Sequence, residues 1–254
     1  MKTTLIVSAH PDGFSFNAAW AAESKAVCEL EGDEVLVSNL VEMAFDPVEA
    51  RQHYPHIEAD ELFDVLKTQE AASEGGTLPE DVRLEIDKLR QAHRVIFHFP
   101  LWWFSAPAIL KGWLERVLAH GEMHSVDQRF DQGQFRGRKV LFCVTTGSRE
   151  SESAFNGKEG DVQLLLWPLA YALRYVGFTV LVPRIVHGVH GYHEGKRREE
   201  LELRLAELLK SHRTLLGAWE DLPEIEFNSD EDFDDDGRLR PECKSFTPFI
   251  RHKG

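Results

Sequence analysis

The sequence predicts an α/β protein whose parallel sheet is covered by helices on both faces. Two observations carry this. Five short apolar, β-branched runs are each followed by a helix-like stretch or a long loop, and these runs are apolar throughout rather than alternating. The composition is also ordinary for a globular chain: 254 residues, 43% hydrophobic and 28% charged. That excludes collagen-like, coiled-coil and wholly disordered classes.

The first strand is expected over residues 3–9 (TTLIVSA), and the turn His10-Pro11-Asp12-Gly13 ends it. Ser15 or Asn17 then opens a helix to about residue 31. A second strand spans 34–38 (EVLVS) after Gly32-Asp33, and residues 39–79 form a polar insertion. Within it the pattern predicts a helix over 58–72, ended by Gly75-Gly76, and Pro79 starts another through residue 92. The third strand is 94–99 (RVIFHF), followed by PLWWFSAP and a helix over 108–119. The fourth is 139–145 (KVLFCVT), with a polar loop to Gly160 and a helix over 162–176. A fifth strand over 178–186 and a charged helix over 194–216 complete the domain.

Net charge is −14, and nine of those charges lie between Ala218 and Glu242, where eleven acids face two bases. The acidity is chiefly a property of the C-terminal segment, so the chain divides into a domain at 1–217 and an acidic extension at 218–254. No basic stripe exists to neutralise phosphates, which argues against nucleic acid as a partner. The three cysteines, Cys28, Cys143 and Cys243, form no C-x-x-C pair, as expected in a reducing compartment. No apolar run reaches the roughly 18 residues of a membrane span. No signal-peptide pattern opens the chain. A cytoplasmic protein without stable membrane insertion is expected.

In a doubly wound sheet, ligands bind beyond the carboxyl ends of the strands where the strand order reverses. The loops leaving strands one, three and four carry the unusual residues. The first, HPDGFSFN, runs into a helix N-terminus, where free N–H groups favour an anion. Neither G-x-G-x-x-G nor G-x-x-x-x-G-K-[ST] is present. The second places Trp102, Trp103 and Phe104 side by side between Pro100 and Pro107, where turns normally use small polar residues. Three adjacent rings cannot all enter one core, so an exposed stacking platform is expected. The third begins Thr145-Thr146-Gly147-Ser148, whose hydroxyls and open backbone suit the polar edge of a heterocycle.

The segments SAHPDGFSFN, FPLWWFSAPAILKGWLERVLAHGE, VTTGS and GDVQLLLWPLAYALRYVGF, in this order, resemble the NAD(P)H:quinone oxidoreductases of the DT-diaphorase type over about residues 3–210. The resemblance implies a three-layer flavodoxin-like fold, strand order 2-1-3-4-5, bound FAD (alternatively FMN), NADH or NADPH as donor, a quinone-like acceptor and a homodimer. It places His10, Ser15, Phe16 and Asn17 on the flavin's phosphate and ribityl region. Pro100, Leu101, Trp102, Trp103 and Phe104 then line the isoalloxazine, with Thr145, Thr146, Gly147 and Ser148 at its polar edge. Trp103, Phe104, Gly147, Ser148, Phe155 and Glu159 wall the nicotinamide and acceptor site.

This chain departs from the family in two places. Glu159 stands where the eukaryotic enzymes have a His, and Ser153 or Phe155 where they have a Tyr, so that proton relay is not carried over. Met123-His124-Ser125-Val126 replaces a pair of tyrosines. The resemblance also admits other readings: a regulatory flavoprotein partner of a potassium-efflux transporter, an azo- or nitroreductase using FMN, or a one-electron carrier. No metal is expected. His187, His190 and His193 lie in a glycine-containing loop, His120 and His124 flank Gly121 at a helix end, and Asp232-x-Asp234-x-Asp236-Gly237 lacks the Glu that would close a calcium loop.

Overall fold

Thr3–Ser8 (β1) is buried along its whole length and lies between two parallel neighbours, as a central strand covered on both faces should. The computed structural model describes residues 2–58 and 60–252. Phe16–Leu30 (α1) follows β1, and Ser15 caps it, its Oγ accepting from the Ala18 N–H at 3.2 Å. Glu34–Asn39 (β2) pairs with β1 in the register Leu5↔Leu36. Val65–Glu74 (α2) and Glu80–Gln91 (α3) precede Arg94–Pro100 (β3), which pairs with the other side of β1 in the register Leu5↔Val95. Ala108–Val117 (α4) leads to Lys139–Thr145 (β4), parallel to β3. The expected order 2-1-3-4-5 is the observed one.

Three elements differ from their expected extents, each for a local reason. The helix expected over 58–72 starts at Val65, because Asp64 caps it by accepting from the Lys67 N–H. The helix expected over 162–176 is two helices, Val162–Leu165 (α5) and Trp167–Tyr175 (α6). Pro168 lacks the N–H that a continuous helix would need, and it sits in the first turn of α6. The fifth strand is likewise two pieces, Thr179–Val180 (β5) and Arg184–Val186 (β6), both parallel to β4. Pro183 between them offers no donor, and the Val182 N–H turns outward to the Pro223 carbonyl at 2.8 Å. With Ile225 donating back to Val180, and Leu181 bridging antiparallel to Glu224, the C-terminal segment borders β5. Lys196–Gly217 (α7) closes the α1 side.

Successive β3 side chains point to opposite faces. Val95, Phe97 and Phe99 join the core with Trp113 and Phe142, whereas Ile96 joins Trp20, Leu141, Cys143, Leu216 and Trp219 under α1 and α7. Two contacts anchor α4, the helix after the aromatic loop. A Cβ on Gly112 would lie 2.0 Å from the Pro47 carbonyl oxygen, so only glycine lets the insertion lie directly on α4. The buried Arg116 donates to Asp81 Oδ2 and to the Asp46 carbonyl, both at 2.7 Å, tying α4 to α3 and to the insertion.

Candidate functional site

The loops after β1, β3 and β4 meet at the carboxyl end of the sheet. In the first, Asp12 organises the turn. Its carboxylate accepts from Phe14 N–H at 2.8 Å, and its own N–H donates to His10 Nδ1 at 3.0 Å. The His10 ring lies 5.8 Å from that of Trp102, joining the first loop to the second. Phe16 packs on Trp20. Asn17 is buried in the first turn of α1, and its Nδ2 donates to Thr145 Oγ1 at 2.7 Å, linking the first loop to the third. Its Oδ1 is buried without a partner among the described residues. Leaving such an oxygen unpaired costs about 1–3 kcal/mol, an arrangement that a hydrogen-bond donor on a ligand would relieve.

The second loop is held in an unusual conformation. The Leu101 N–H donates to the Thr145 carbonyl at 2.7 Å, continuing the ladder past the end of β3. Trp102 and Ser105 then exchange both backbone hydrogen bonds, at 2.9 and 3.0 Å, around Trp103 at φ +49° and Phe104 at φ +63°. Two consecutive positive φ values are the pattern of a type I′ turn, which strongly favours Asn-Gly. A Trp-Phe pair there carries strain of about 1 kcal/mol or more per residue. Trp103 is nevertheless 91% exposed and Phe104 53%. The rings are thus held out from the protein at a conformational cost, with little internal packing in return. The three rings are exposed as expected of adjacent aromatics that cannot all enter one core, and Trp102 at 45% is the most sheltered of them.

The third loop contributes a chain of hydroxyls. Thr146 Oγ1 and Ser148 Oγ are 2.8 Å apart, and Ser148 Oγ also bonds Ser153 Oγ. Gly147 faces the His190 side chain across 4.0 Å from where its Cβ would be. Trp103, Phe104 and Leu101 on one side, and Thr146, Gly147, Ser148, Ser153 and Glu159 on the other, enclose a cleft of about 290 Å³. Of the residues expected at the acceptor site, Phe155 lies outside this lining and is 84% exposed, whereas the rest line it.

A second feature was not anticipated. From Arg149 in the third loop, a groove of about 1050 Å³ runs between β6 and α7. Arg149, Arg184, Arg197 and Arg204 line it together with His187, His193 and three carboxylates, Glu150, Glu200 and Glu207. Arg204 donates to the His187 carbonyl at 2.6 Å, and Arg149 pairs with Glu152 at 2.9 Å. Arg184 and Arg197 are exposed. These four residues lie on three separate stretches of chain, so no sequence window shows them as a cluster.

The remaining candidates serve local structure. His190 and His193 stack at 3.9 Å, and His193 Nε2 lies 3.0 Å from the Gly188 carbonyl. The Asp234 carboxylate accepts from the Asp236 and Arg238 N–H groups, while Arg238 pairs with Asp236. Among the described residues no group of three or more His, Cys, Asp or Glu side chains is placed to hold a metal ion. No described helix is long and apolar enough to cross a membrane.

A family profile described as a flavodoxin-like fold matches residues 2–210. NAD(P)H dehydrogenase [quinone] 1 of Rattus norvegicus is 38% identical over 191 residues, covering 74% of this chain and 70% of that protein. Ribosyldihydronicotinamide dehydrogenase [quinone] of Homo sapiens is 39% identical over 189 residues, covering 72% and 80%. Among solved structures, a Klebsiella pneumoniae protein provisionally assigned as a quinone reductase superposes with a TM-score of 0.81, 29% identity and 95% coverage of both chains.

Proposed function

We propose, from the premise that this chain belongs to the flavodoxin-like family of NAD(P)H dehydrogenases (quinone), that it is an oxidoreductase of that type. It uses bound FAD to carry hydride from NAD(P)H to a quinone or similar planar acceptor. The observation that carries this reading is the strained Trp103-Phe104 turn, which holds two rings over a cleft edged by hydroxyls and open backbone. When bound, the flavin supplies the redox chemistry, taking two electrons from the donor and passing them to an acceptor that later fills the same cleft. One cleft for both substrates makes the reaction ping-pong.

The residues present fit such a group. The N-terminus of α1 favours a phosphate, and the unpaired Asn17 Oδ1 accepts from a ligand hydroxyl. Trp103 and Phe104 would cover the ring system, exclude water there and orient the incoming nicotinamide or quinone. Thr146 and Ser148 hydrogen-bond its polar edge. Two exposed arginines of the groove, Arg184 and Arg197, support FAD over FMN, since each offers a guanidinium to the second phosphate beside a lining that also carries Glu150, Glu200 and Glu207. Arg197→Ala is accordingly expected to weaken FAD binding about tenfold, or about 1.4 kcal/mol, with a much smaller effect on FMN. Titration of apoprotein with each flavin measures this, and equal losses for both would remove the groove from the cofactor site.

A homodimer belongs to the same proposal. An apolar groove of about 240 Å³ beside the strained turn, between α4 and α5–α6, supports it, and sedimentation at a monomer mass would refute it. The direct test of the function is to purify the protein, identify any released flavin by chromatography and assay NAD(P)H oxidation with and without a quinone. A flavin-free protein that takes up no added flavin would overturn the proposal.

A further inference from the structure

Among the described residues Glu159 is the one charged residue lining the cleft; its neighbours there are aromatic, aliphatic, hydroxyl-bearing or glycine. The loop's own cations do not offset it. Arg149 and Lys158 both reach Glu152, at 2.9 and 3.2 Å. The Glu152 carboxyl is held down to about 2 by the Arg149 hydrogen bond first, then by the Arg149 N–H and Lys158, so it stays ionised as a partner for both cations across the working pH range. Among the described residues no cation pairs with Glu159 itself. The loop that carries it is also fixed. The Glu159 N–H donates to the Glu152 carbonyl at 2.9 Å, and Gly157 lies so close to Glu152 that a Cβ there would sit 2.2 Å from the same oxygen. Glu159 therefore lines the cleft from an anchored turn, together with Ser153, Trp103 and Phe104.

We propose that Glu159 sets the charge selectivity of the acceptor cleft, admitting neutral and cationic planar acceptors and excluding anionic ones. This rests on the cleft being the acceptor site, as argued above. A fixed carboxylate in a small, partly dry space repels an anionic ligand far more than it would in bulk water. Specificity of this kind is built by opposing the wrong ligand rather than by gripping the right one. The donor is compatible with it. The dihydronicotinamide ring is uncharged when it enters and is a pyridinium cation when it leaves, so the same carboxylate favours the product of hydride loss.

The test uses the full-length flavin-loaded protein and two size-matched probes, 1,4-naphthoquinone-2-sulfonate and the neutral 2-sulfonamide. Binding is read without NAD(P)H by quenching of tryptophan fluorescence, and turnover is read separately as kcat/KM. The wild type is expected to favour the sulfonamide. Glu159→Gln should shift the sulfonate-to-sulfonamide ratio roughly tenfold toward the anion in both readouts, about 1.4 kcal/mol. Glu159→Lys should invert the preference. Raising ionic strength should relax the discrimination in the wild type and do little in Glu159→Gln. A ratio unmoved in both variants, with the sulfonamide still bound, overturns the role of Glu159 and leaves the quinone reductase reading intact. Failure of the wild type to bind either probe overturns both.

Discussion

Trp103→Gly is expected to leave the fold about as stable as the wild type and to strip it of flavin. Glycine adopts the φ of +49° found at this position without penalty. The relieved strain and the added freedom of the unfolded chain are each about 1 kcal/mol and oppose one another. The lost ring is 91% exposed, so the core does not notice its removal. A flavin stacked on that ring does notice. Losing its burial costs about 2–3 kcal/mol, or roughly 30- to 150-fold in the flavin dissociation constant. Thermal denaturation of the apoprotein measures the first effect and flavin fluorescence the second. Trp103→Ala removes the ring but keeps the strain; it should also release flavin and abolish NAD(P)H oxidation. A Gly variant with wild-type flavin affinity and turnover would mean that the turn is bent for some other purpose.

The second large effect concerns acid stability. Trp20 Nε1–H donates to His212 Nδ1 at 3.1 Å, which leaves the imidazole proton on Nε2, 2.7 Å from Ser24 Oγ. Ser24 Oγ also bonds His98 Nε2, at 2.9 Å. The Trp20–His212 bond exists only while the His212 imidazole is neutral, because a charged ring has no lone pair on Nδ1. Burial, then the nearby Arg184, holds His212 down to about 4. Burial, then His212, pushes His98 well below its ordinary value. In the unfolded chain both titrate near 6.5, so the unfolded state binds more protons below that pH. Their contribution is intact above about pH 6.5 and drains away as pH falls toward 4. Between pH 6.5 and 5, His212 alone accounts for about 2 kcal/mol. Urea midpoints across this window should fall steeply in the wild type, and His212→Gln should flatten the slope by about one proton. An unchanged slope would mean that His212 is already charged in the folded protein.

The strands and their order were legible because each strand is an apolar run whose neighbours in the sheet follow from doubly wound connectivity. The breaks were not. Pro168 and Pro183 stand in the sequence, but whether a proline kinks, starts or interrupts an element depends on which N–H the surroundings require. The cleft was legible where its residues are contiguous, as in Trp102–Phe104 and Thr145–Ser148. The positive φ values were hidden, since Trp-Phe is the opposite of a type I′ signature. Phe155 and Glu159 are four residues apart on one loop, yet only Glu159 lines the cleft, because loop sequences carry no periodicity that assigns a side. The arginine groove needed the packing of α7 against β6 before Arg184, Arg197 and Arg204 could be seen as neighbours.

At the β5 border the Val180 carbonyl and the Val182 N–H are already taken by Ile225 and Pro223 of the same chain. Sheet margins with free peptide groups recruit strands from other molecules and seed fibrils. This margin is sealed by the polypeptide's own acidic run, whose like charges discourage a second copy from docking alongside. Pro223–Ile225, which is not among the residues lining the cleft, thus leaves this margin no free place for a second strand.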